Sequence, residues 1–349
     1  MMKIGISGTG RIGRLLLRRA FSSSKASIQV EAINTTSSVE ALLHLLRYDS
    51  IHGFWGIPME AAEGGLLIDG KFIAMFSERE PERIPWHKNE IELVIDATGK
   101  FNHRSGSSIH LLAGAKKVII TAPGTDMDAT IVMGVNEQHY QPDKHALLST
   151  ASCTTNCLAP ILSILDQYFQ VERGWMTTIH AYTSDQNLLD NPHKDLRRAR
   201  SSTASMIPTS TGISKALAHV LPHLAPHIHG ISIRVPVQDV SLIDLNVQLG
   251  RTTDIEEVRA TFRSAIQGPI GSVVDYNELP LVSSDYIGNE KSAIIDGLSI
   301  MVQQNQLKLL AWYDNEWAYA CRVIDFASYV VKQSNSFAGG RAHWMKQSV

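Results

Sequence analysis

Cysteine is scarce in this chain: three residues in 349, two of them four positions apart, cannot make a disulfide framework and fit a reducing compartment. Charge is thin as well. Charged side chains are 19% of the sequence and the net charge is −2, which excludes a general attraction to nucleic acid or acidic membranes. No apolar run has the length of a membrane-crossing helix. The first residues, Met1-Met2-Lys3-Ile4-Gly5-Ile6, start a strand without a secretory or transit pattern, so a cytoplasmic protein is expected. What is present is a 44% hydrophobic composition over a length that suggests two domains of a soluble globular protein.

The first half reads as a nucleotide-binding domain. Lys3–Ser7 is a buried strand, and Gly8-x-Gly10-x-x-Gly13 joins it to a helix from about Arg11 to Phe21. In that setting Gly8 makes the turn, Gly10 admits a pyrophosphate to the backbone, and Gly13 lets helix and strand pack closely. The helix N-terminus then faces the phosphate charge. The alternative is a merely structural glycine turn. The next strand, residues 28–33, ends at Asn34-Thr35-Thr36-Ser37-Ser38, where an NAD site normally carries an acid for the ribose 2′-hydroxyl. A row of hydroxyls could instead hold a 2′-phosphate, so NADP is expected to be accepted or preferred. The same residues could simply cap a helix over Val39–Arg47. Strands at 93–96, 117–121 and 129–133, with a small-residue turn at Thr98-Gly99, continue a mostly parallel, doubly wound sheet to about residue 150.

Ser152-Cys153-Thr154-Thr155-Asn156-Cys157 follows at once, between a short strand and an apolar helical run. A thiol at a helix start sits where unpaired N–H groups and the macrodipole favour an anion, which would lower its pKa. The bland alternative is a small buried cysteine at a tight junction. Trp175–Thr183 reads as a strand with His180 and Thr183 near its end, and a distant histidine is the usual partner of an activated thiol. The basic loop 191–200 is either a solvated face or a phosphate-binding segment, and it lacks the interleaved aromatics of a nucleic-acid site. His219, His223, His227 and His229 crowd one segment, but Pro222 and Pro226 interrupt any helix aligning them, so no metal site is expected. From Gly230 the pattern is antiparallel: 231–235, 240–249, 292–296 and 306–313, with a helix at about 255–266 between them. A final helix at about 318–332 precedes a tail from Ser334 expected to fray.

Taken together, the motifs resemble phosphorylating glyceraldehyde-3-phosphate dehydrogenase over nearly the whole chain. They are Gly8-x-Gly10-Arg11-Ile12-Gly13-Arg14, Tyr48-Asp49-Ser50-Ile51-His52-Gly53, Ser152–Cys157, Thr178-Ile179-His180-Ala181-Tyr182-Thr183, His193-Lys194-Asp195, Arg234-Val235-Pro236 and Trp312-Tyr313-Asp314-Asn315-Glu316. The resemblance implies a Rossmann-type doubly wound parallel sheet plus an α+β catalytic domain with a mostly antiparallel sheet. The expected divisions are 1–152, 153–316, a helix 317–333 returning to the first domain, and the tail 334–349. It implies Cys153 as nucleophile and His180 as its base. Thr183, Arg198 and Arg234 would hold the substrate's phosphate; Ser152, Thr154, Thr211 and Gly212 would hold inorganic phosphate. Gly8, Gly10, Arg11, Ile12, Gly13, Asn34, Thr35, Thr36, Arg79, Thr98, Gly99, Thr121, Asn191 and Asn315 would serve the cofactor, with Asn315 orienting the nicotinamide carboxamide. A homotetramer is implied, with the loop over 184–205 reaching a neighbour's cofactor site.

Thr35, Asn191 and Arg234-Val235-Pro236-Val237 look like the anabolic bacterial type that prefers NADP over NAD and runs in gluconeogenesis. Ser7, Thr9, Thr150, Gln238, Asp239 and Ala318 depart from the usual family residues. Residues 274–283 look like erythrose-4-phosphate dehydrogenase, a sister family, which leaves that activity as an alternative. A non-catalytic regulatory or RNA-binding protein on the same fold is the alternative of another class.

Overall fold

The computed structural model describes residues 2–22 and 28–347, with side chains as far as Ser334. The chain divides into two compact units: residues 1–131, 136–151 and from 320 onward, and residues 132–135 with 152–319.

The first unit is built on a nine-stranded sheet. Lys3–Ser7 lies near its centre, paired in parallel with Gln29–Asn34 on one side and Leu93–Asp96 on the other. Lys117–Ile120, Leu147–Ser149 and Ala129–Thr130 extend it in parallel beyond Leu93–Asp96. Ser7 stands in register with both Asn34 and Asp96, so three strands end at one level. The chain winds first to one side of Lys3–Ser7 and then to the other, and such a switch point leaves a crevice at the carboxyl ends. The central strands are buried on both faces, with Ile4, Ile6, Ile33 and Val94 all closed to solvent.

Arg11–Ser22 covers the sheet through Leu15, Leu16 and Leu17. Val39–Arg47 buries Leu42 and Leu46, one turn apart, and Ser38 caps it by accepting from the Ala41 N–H at 3.2 Å. Such a cap contributes about 1 kcal/mol. The region between these elements and Leu93 holds three strands that the sequence reading passed over. Lys71–Phe76 is parallel to Gln29–Asn34, and Gly65–Ile68 and Met59–Ala62 then add antiparallel.

Two expectations are corrected. The strand expected over 129–133 is confined to Ala129–Thr130, because residues 132–135 belong to the second unit. The last helix runs Trp317–Gln347, so its backbone stays helical where a frayed tail from Ser334 was expected. No proline interrupts it, and Ala, Arg, Met, Lys and Gln sustain helix past the Gly339-Gly340 pair.

The second unit carries a seven-stranded sheet, in the order Ile207–Ser210, Ile228–Val235, Val171–Ala181, Ser241–Leu249, Gln306–Tyr313, Ala293–Gln303, Val274–Asn277. Four of its pairings are antiparallel and two parallel. Burial alternates throughout Ser241–Leu249 and Gln306–Tyr313 and over Gly174–His180. Met176, Thr178 and His180, then Ser241, Ile243 and Leu245, then Leu309, Ala311 and Tyr313 share the covered face. Helices Cys153–Phe169, Ile213–Val220 and Ile255–Ala265 pack with this sheet. The opposite face leaves Trp175, Ile231 and Met301 exposed. His180, Ser241 and Tyr313 therefore stand at one end of the covered face.

Candidate active site

In the first unit a cleft of about 420 Å3 opens at the carboxyl ends of the central strands. Gly8, Gly10, Asn34, Thr35, Thr36, Arg79 and Thr98 line it, joined by Ser7, Thr9, Arg14 and Ser37, which the residue roles had not included. The glycines are required for different reasons. Gly8 has φ +92, and a Cβ there would lie 2.9 Å from the Ala97 carbonyl carbon. A Cβ on Gly13 would stand 2.0 Å from the Gly8 carbonyl oxygen. A Cβ on Gly10 would meet nothing within 4 Å, so protein packing does not demand glycine there. That openness fits a ligand whose phosphates approach the backbone at the start of Arg11–Ser22. The donor set, backbone N–H groups and hydroxyls with the cations Arg14, Arg79 and Lys100, suits a dinucleotide.

Polar groups around the cleft are largely organised among themselves. Thr9 Oγ1 and Thr35 Oγ1 lie 2.5 Å apart, both buried, and the Ser37 N–H donates to Thr35 Oγ1. Thr9, one of the departures noted above, thus touches Thr35. Asn34 is clamped to the Glu78 backbone through both its amide atoms. Thr98 donates from Oγ1 and N to Asp96 Oδ1, at 2.6 and 2.8 Å. Behind it, Trp86 Nε1 donates to His110 Nδ1 at 3.1 Å, which leaves His110 Nε2 as the donor to Asp96 Oδ2 at 3.3 Å. Arg11, Ile12, Gly13, Gly99 and Thr121 do not line the cleft. Arg11 is engaged with Asp49 at 2.7 Å, and Thr121 Oγ1 donates to the Asp96 carbonyl.

In the second unit Cys153 is the first residue of its helix. Ser152 is the N-cap, with its Oγ accepting from the Thr155 N–H at 3.1 Å. Ala151, just before the cap, has φ +54, an uncommon conformation for a residue with a side chain, and makes the corner sharp. Cys153 Sγ lies 3.5 Å from His180 Nε2. Register supplies the third member: His180 and Arg234 are directly paired on adjacent parallel strands. Arg234 Nη1 sits 2.9 Å from His180 Nδ1 and donates to the Ala181 carbonyl at 3.1 Å, while Nδ1 itself is 2.7 Å from that carbonyl. With Nδ1 carrying the proton, Nε2 is the acceptor facing the thiol.

The electrostatics correct one expectation. Burial pushes the Cys153 thiol up, outweighing the Arg234 charge and the helix-start hydrogen bonds that draw it down. Burial, with Arg234 adding to it, lowers His180 to about 3. The resting pair is a thiol beside a neutral imidazole. Tyr313 closes the rear. Its hydroxyl meets Thr154 Oγ1 at 3.0 Å and Thr178 Oγ1 at 2.8 Å, and burial raises its pKa so that it stays protonated. Thr154, expected to face phosphate, has its hydroxyl turned to Tyr313.

Arg198 Nε donates to Thr209 Oγ1 at 3.0 Å, and its Nη1 pairs with Asp185. Its charge is felt at His180. Thr183 is half-buried two residues past the strand that carries His180. Thr211 and Gly212 lead into Ile213–Val220, with Gly212 at the N-cap. Asn315 is buried and accepts from Ser241 Oγ at 2.6 Å. Asn191 lies exposed in the long loop, held by backbone bonds to Ala199 and Asn187. Tyr313, Ser241 and Thr9 are the residues the sequence roles missed. Tyr313 was signalled by its place in the Trp312–Glu316 motif and Thr9 by its place in the Gly-rich motif; Ser241 was not signalled.

A dinucleotide-type cleft in one unit and a cysteine–histidine–arginine cluster in the other fit the class of oxidoreductases. Comparison with known proteins narrows it. Residues 2–104 match the glyceraldehyde 3-phosphate dehydrogenase NAD binding domain, and residues 152–315 match the C-terminal domain of the same family. The chain is 50% identical over 330 residues to glyceraldehyde-3-phosphate dehydrogenase 2 of Bacillus subtilis, covering 94% of this chain and 96% of that one. It is 45% identical to glyceraldehyde-3-phosphate dehydrogenase of Geobacillus stearothermophilus, over 95% of this chain and 99% of the relative. The chain belongs to the glyceraldehyde-3-phosphate dehydrogenase family.

Proposed function

We propose that the protein catalyses the reversible phosphorylating oxidation of glyceraldehyde 3-phosphate to 1,3-bisphosphoglycerate through a Cys153 thioester. The observation that carries this reading is the thiol 3.5 Å from His180 Nε2, with Arg234 against the other ring nitrogen. His180 takes the proton as Cys153 sulfur bonds to the aldehyde carbon, giving a hemithioacetal. The neighbouring Arg234 charge offsets the negative charge formed on sulfur. A bound nicotinamide dinucleotide supplies a two-electron acceptor for the hydride of that carbon. Inorganic phosphate then displaces Cys153 from the thioester, and the acyl phosphate leaves. Arg198 and Arg234, with Thr183, hold the substrate phosphate. Ser152, Thr211 and Gly212 hold the incoming one, while the Thr154 hydroxyl stays with Tyr313.

NADP is the preferred cofactor, with NAD accepted. What supports this is the absence of an acid at Asn34-Thr35-Thr36 and the exposed Arg79 in the same cleft. Preference for NADP suits the reducing, gluconeogenic direction in the cytoplasm. The chain acts as a homotetramer, in which Asn191 from one subunit approaches the cofactor of another. The apolar residues left open on the second sheet, Trp175, Ile231 and Met301, support association.

Steady-state rates with NADP and NAD, with and without inorganic phosphate, test the reading. Acyl phosphate should form only with phosphate present, and kcat/KM should favour NADP. A rate indifferent to phosphate would point to hydrolysis of the thioester, as erythrose-4-phosphate oxidation requires. Thr35→Asp should move the NADP/NAD ratio toward NAD by about tenfold or more, on the scale of one like-charge contact.

A further inference from the structure

Ser241 is buried at the start of Ser241–Leu249, paired with Tyr313 across the sheet and two strands from Ile228–Val235. Its hydroxyl makes two bonds. It accepts from the Ala181 N–H at 3.1 Å and donates to Asn315 Oδ1 at 2.6 Å. These two bonds fix a direction. A backbone N–H can only donate, so the hydroxyl receives on that side, and among the described residues Asn315 Oδ1 is the one acceptor for its hydrogen. An Asn315 amide turned the other way would put a third hydrogen at the Ser241 oxygen and leave the hydroxyl hydrogen without an acceptor. Burying that hydrogen unpaired costs about 1–3 kcal/mol. Asn315 is therefore held with its oxygen inward and its NH2 outward.

The backbone at this point is unusual too. Val240, immediately before Ser241, has φ +65, where a β-branched residue is a genuine outlier. Such a corner persists only where its surroundings hold it, and outliers of this kind gather at functional sites. The same Ala181 supplies the carbonyl against His180 Nδ1. One residue's N–H thus sets Asn315 while its carbonyl sets the base.

We propose that Ser241 is a positioning residue that makes Asn315 a pure hydrogen-bond donor toward the carboxamide oxygen of a bound nicotinamide. This rests on the reading above that Asn315 serves that carboxamide. The carboxamide oxygen is then gripped while its NH2 is left to other groups, and the ring is held with one face toward the substrate. Neither Ser241 nor its orientation of Asn315 changes charge, so the effect lies in geometry alone.

The experiment is equilibrium binding, by protein-fluorescence titration, of NADP and of its thionicotinamide analogue, whose sulfur is a poor acceptor. The ratio of the two Kd values is the readout, and loss of fold alone would weaken both ligands together. In the unaltered protein NADP should bind more tightly. Ser241→Ala should narrow the ratio by up to about tenfold, one hydrogen bond's worth, and Ser241→Thr should restore it. Asn315→Ala should narrow it as well. A ratio unchanged in Ser241→Ala but narrowed in Asn315→Ala overturns the role of Ser241 and keeps that of Asn315. A ratio unchanged in both overturns both. Failure of Ser241→Thr to restore the ratio also overturns the role of the hydroxyl. If Ser241→Ala does not fold, Ser241→Cys, close in size and weak as a donor, takes its place with the same outcomes.

Discussion

The dinucleotide-type cleft of the first unit and the thiol site of the second solve opposite problems. The cleft draws on the ends of neighbouring parallel strands, 7–14, 34–37, 78–81 and 97–101, and its hydroxyls bond one another before any ligand arrives, as Thr9 and Thr35 do at 2.5 Å. Its glycines provide space. The thiol site gathers Cys153, His180, Arg234 and Asn315 from four separate segments, brought together by strand register and one helix start. There burial provides reactivity rather than room. It keeps the imidazole neutral and the thiol protonated, so proton transfer waits for a reaction that makes it favourable. One region is prepared by shape and the other by proton affinity.

The sharpest way to break that contrast is Cys153→Ser. Turnover should fall by a thousandfold or more, an order set by loss of a covalent nucleophile, while dinucleotide binding by titration stays within about twofold. A matching loss of binding would mean that the two regions are not separable. A middle-sized effect lies in the proton balance. With His180 lowered to about 3, its ring is neutral throughout the ordinary pH range, and with the thiol raised, thiolate accumulates only as pH climbs. Alkylation of Cys153 in the cofactor-free protein should therefore rise through the alkaline range instead of levelling near neutrality. Arg234→Leu removes a charge that favours thiolate and should slow alkylation at pH 8 by about tenfold. An early plateau would show that a thiolate–imidazolium pair already exists. The smallest effect is expected from Thr9→Ala, which takes one partner from the Thr35 hydroxyl and leaves it the Ser37 N–H. NADP binding should weaken by no more than about fivefold, because a single neutral hydrogen bond is worth about 1 kcal/mol.

The same contrast explains what could be read from residues alone. Gly8, Gly10 and Gly13 announce the turn because their reasons are local, and Ser38 marks the start of Val39–Arg47 for the same reason. The antiparallel strands at 59–76 had a local signal too: Asp69-Gly70, both at positive φ, join Gly65–Ile68 to Lys71–Phe76 as hairpin turns of that composition do. Cys153 and His180 were singled out through a helix start and a matched motif, and the structure brings them within 3.5 Å. The sign of the thiol shift was not, because a helix start argues for acidity and only tertiary burial reverses it. Ser241 and Tyr313 act through neighbours across a sheet, and no spacing in one strand reveals a partner in the next.

The line from Trp86 through His110 and Asp96 to Thr98 has one more consequence, for how this chain can drift. The indole can only donate, so it fixes Nε2 as the His110 nitrogen that carries the hydrogen toward Asp96 Oδ2, while Thr98 takes Oδ1. A replacement at position 86 without a donor hydrogen would remove an instruction as well as a contact, although Trp86 does not line the cleft. Substitutions at 86 and 110 should then be tolerated together more readily than apart, and the harm from either alone should surface as a fault in ligand binding rather than in folding.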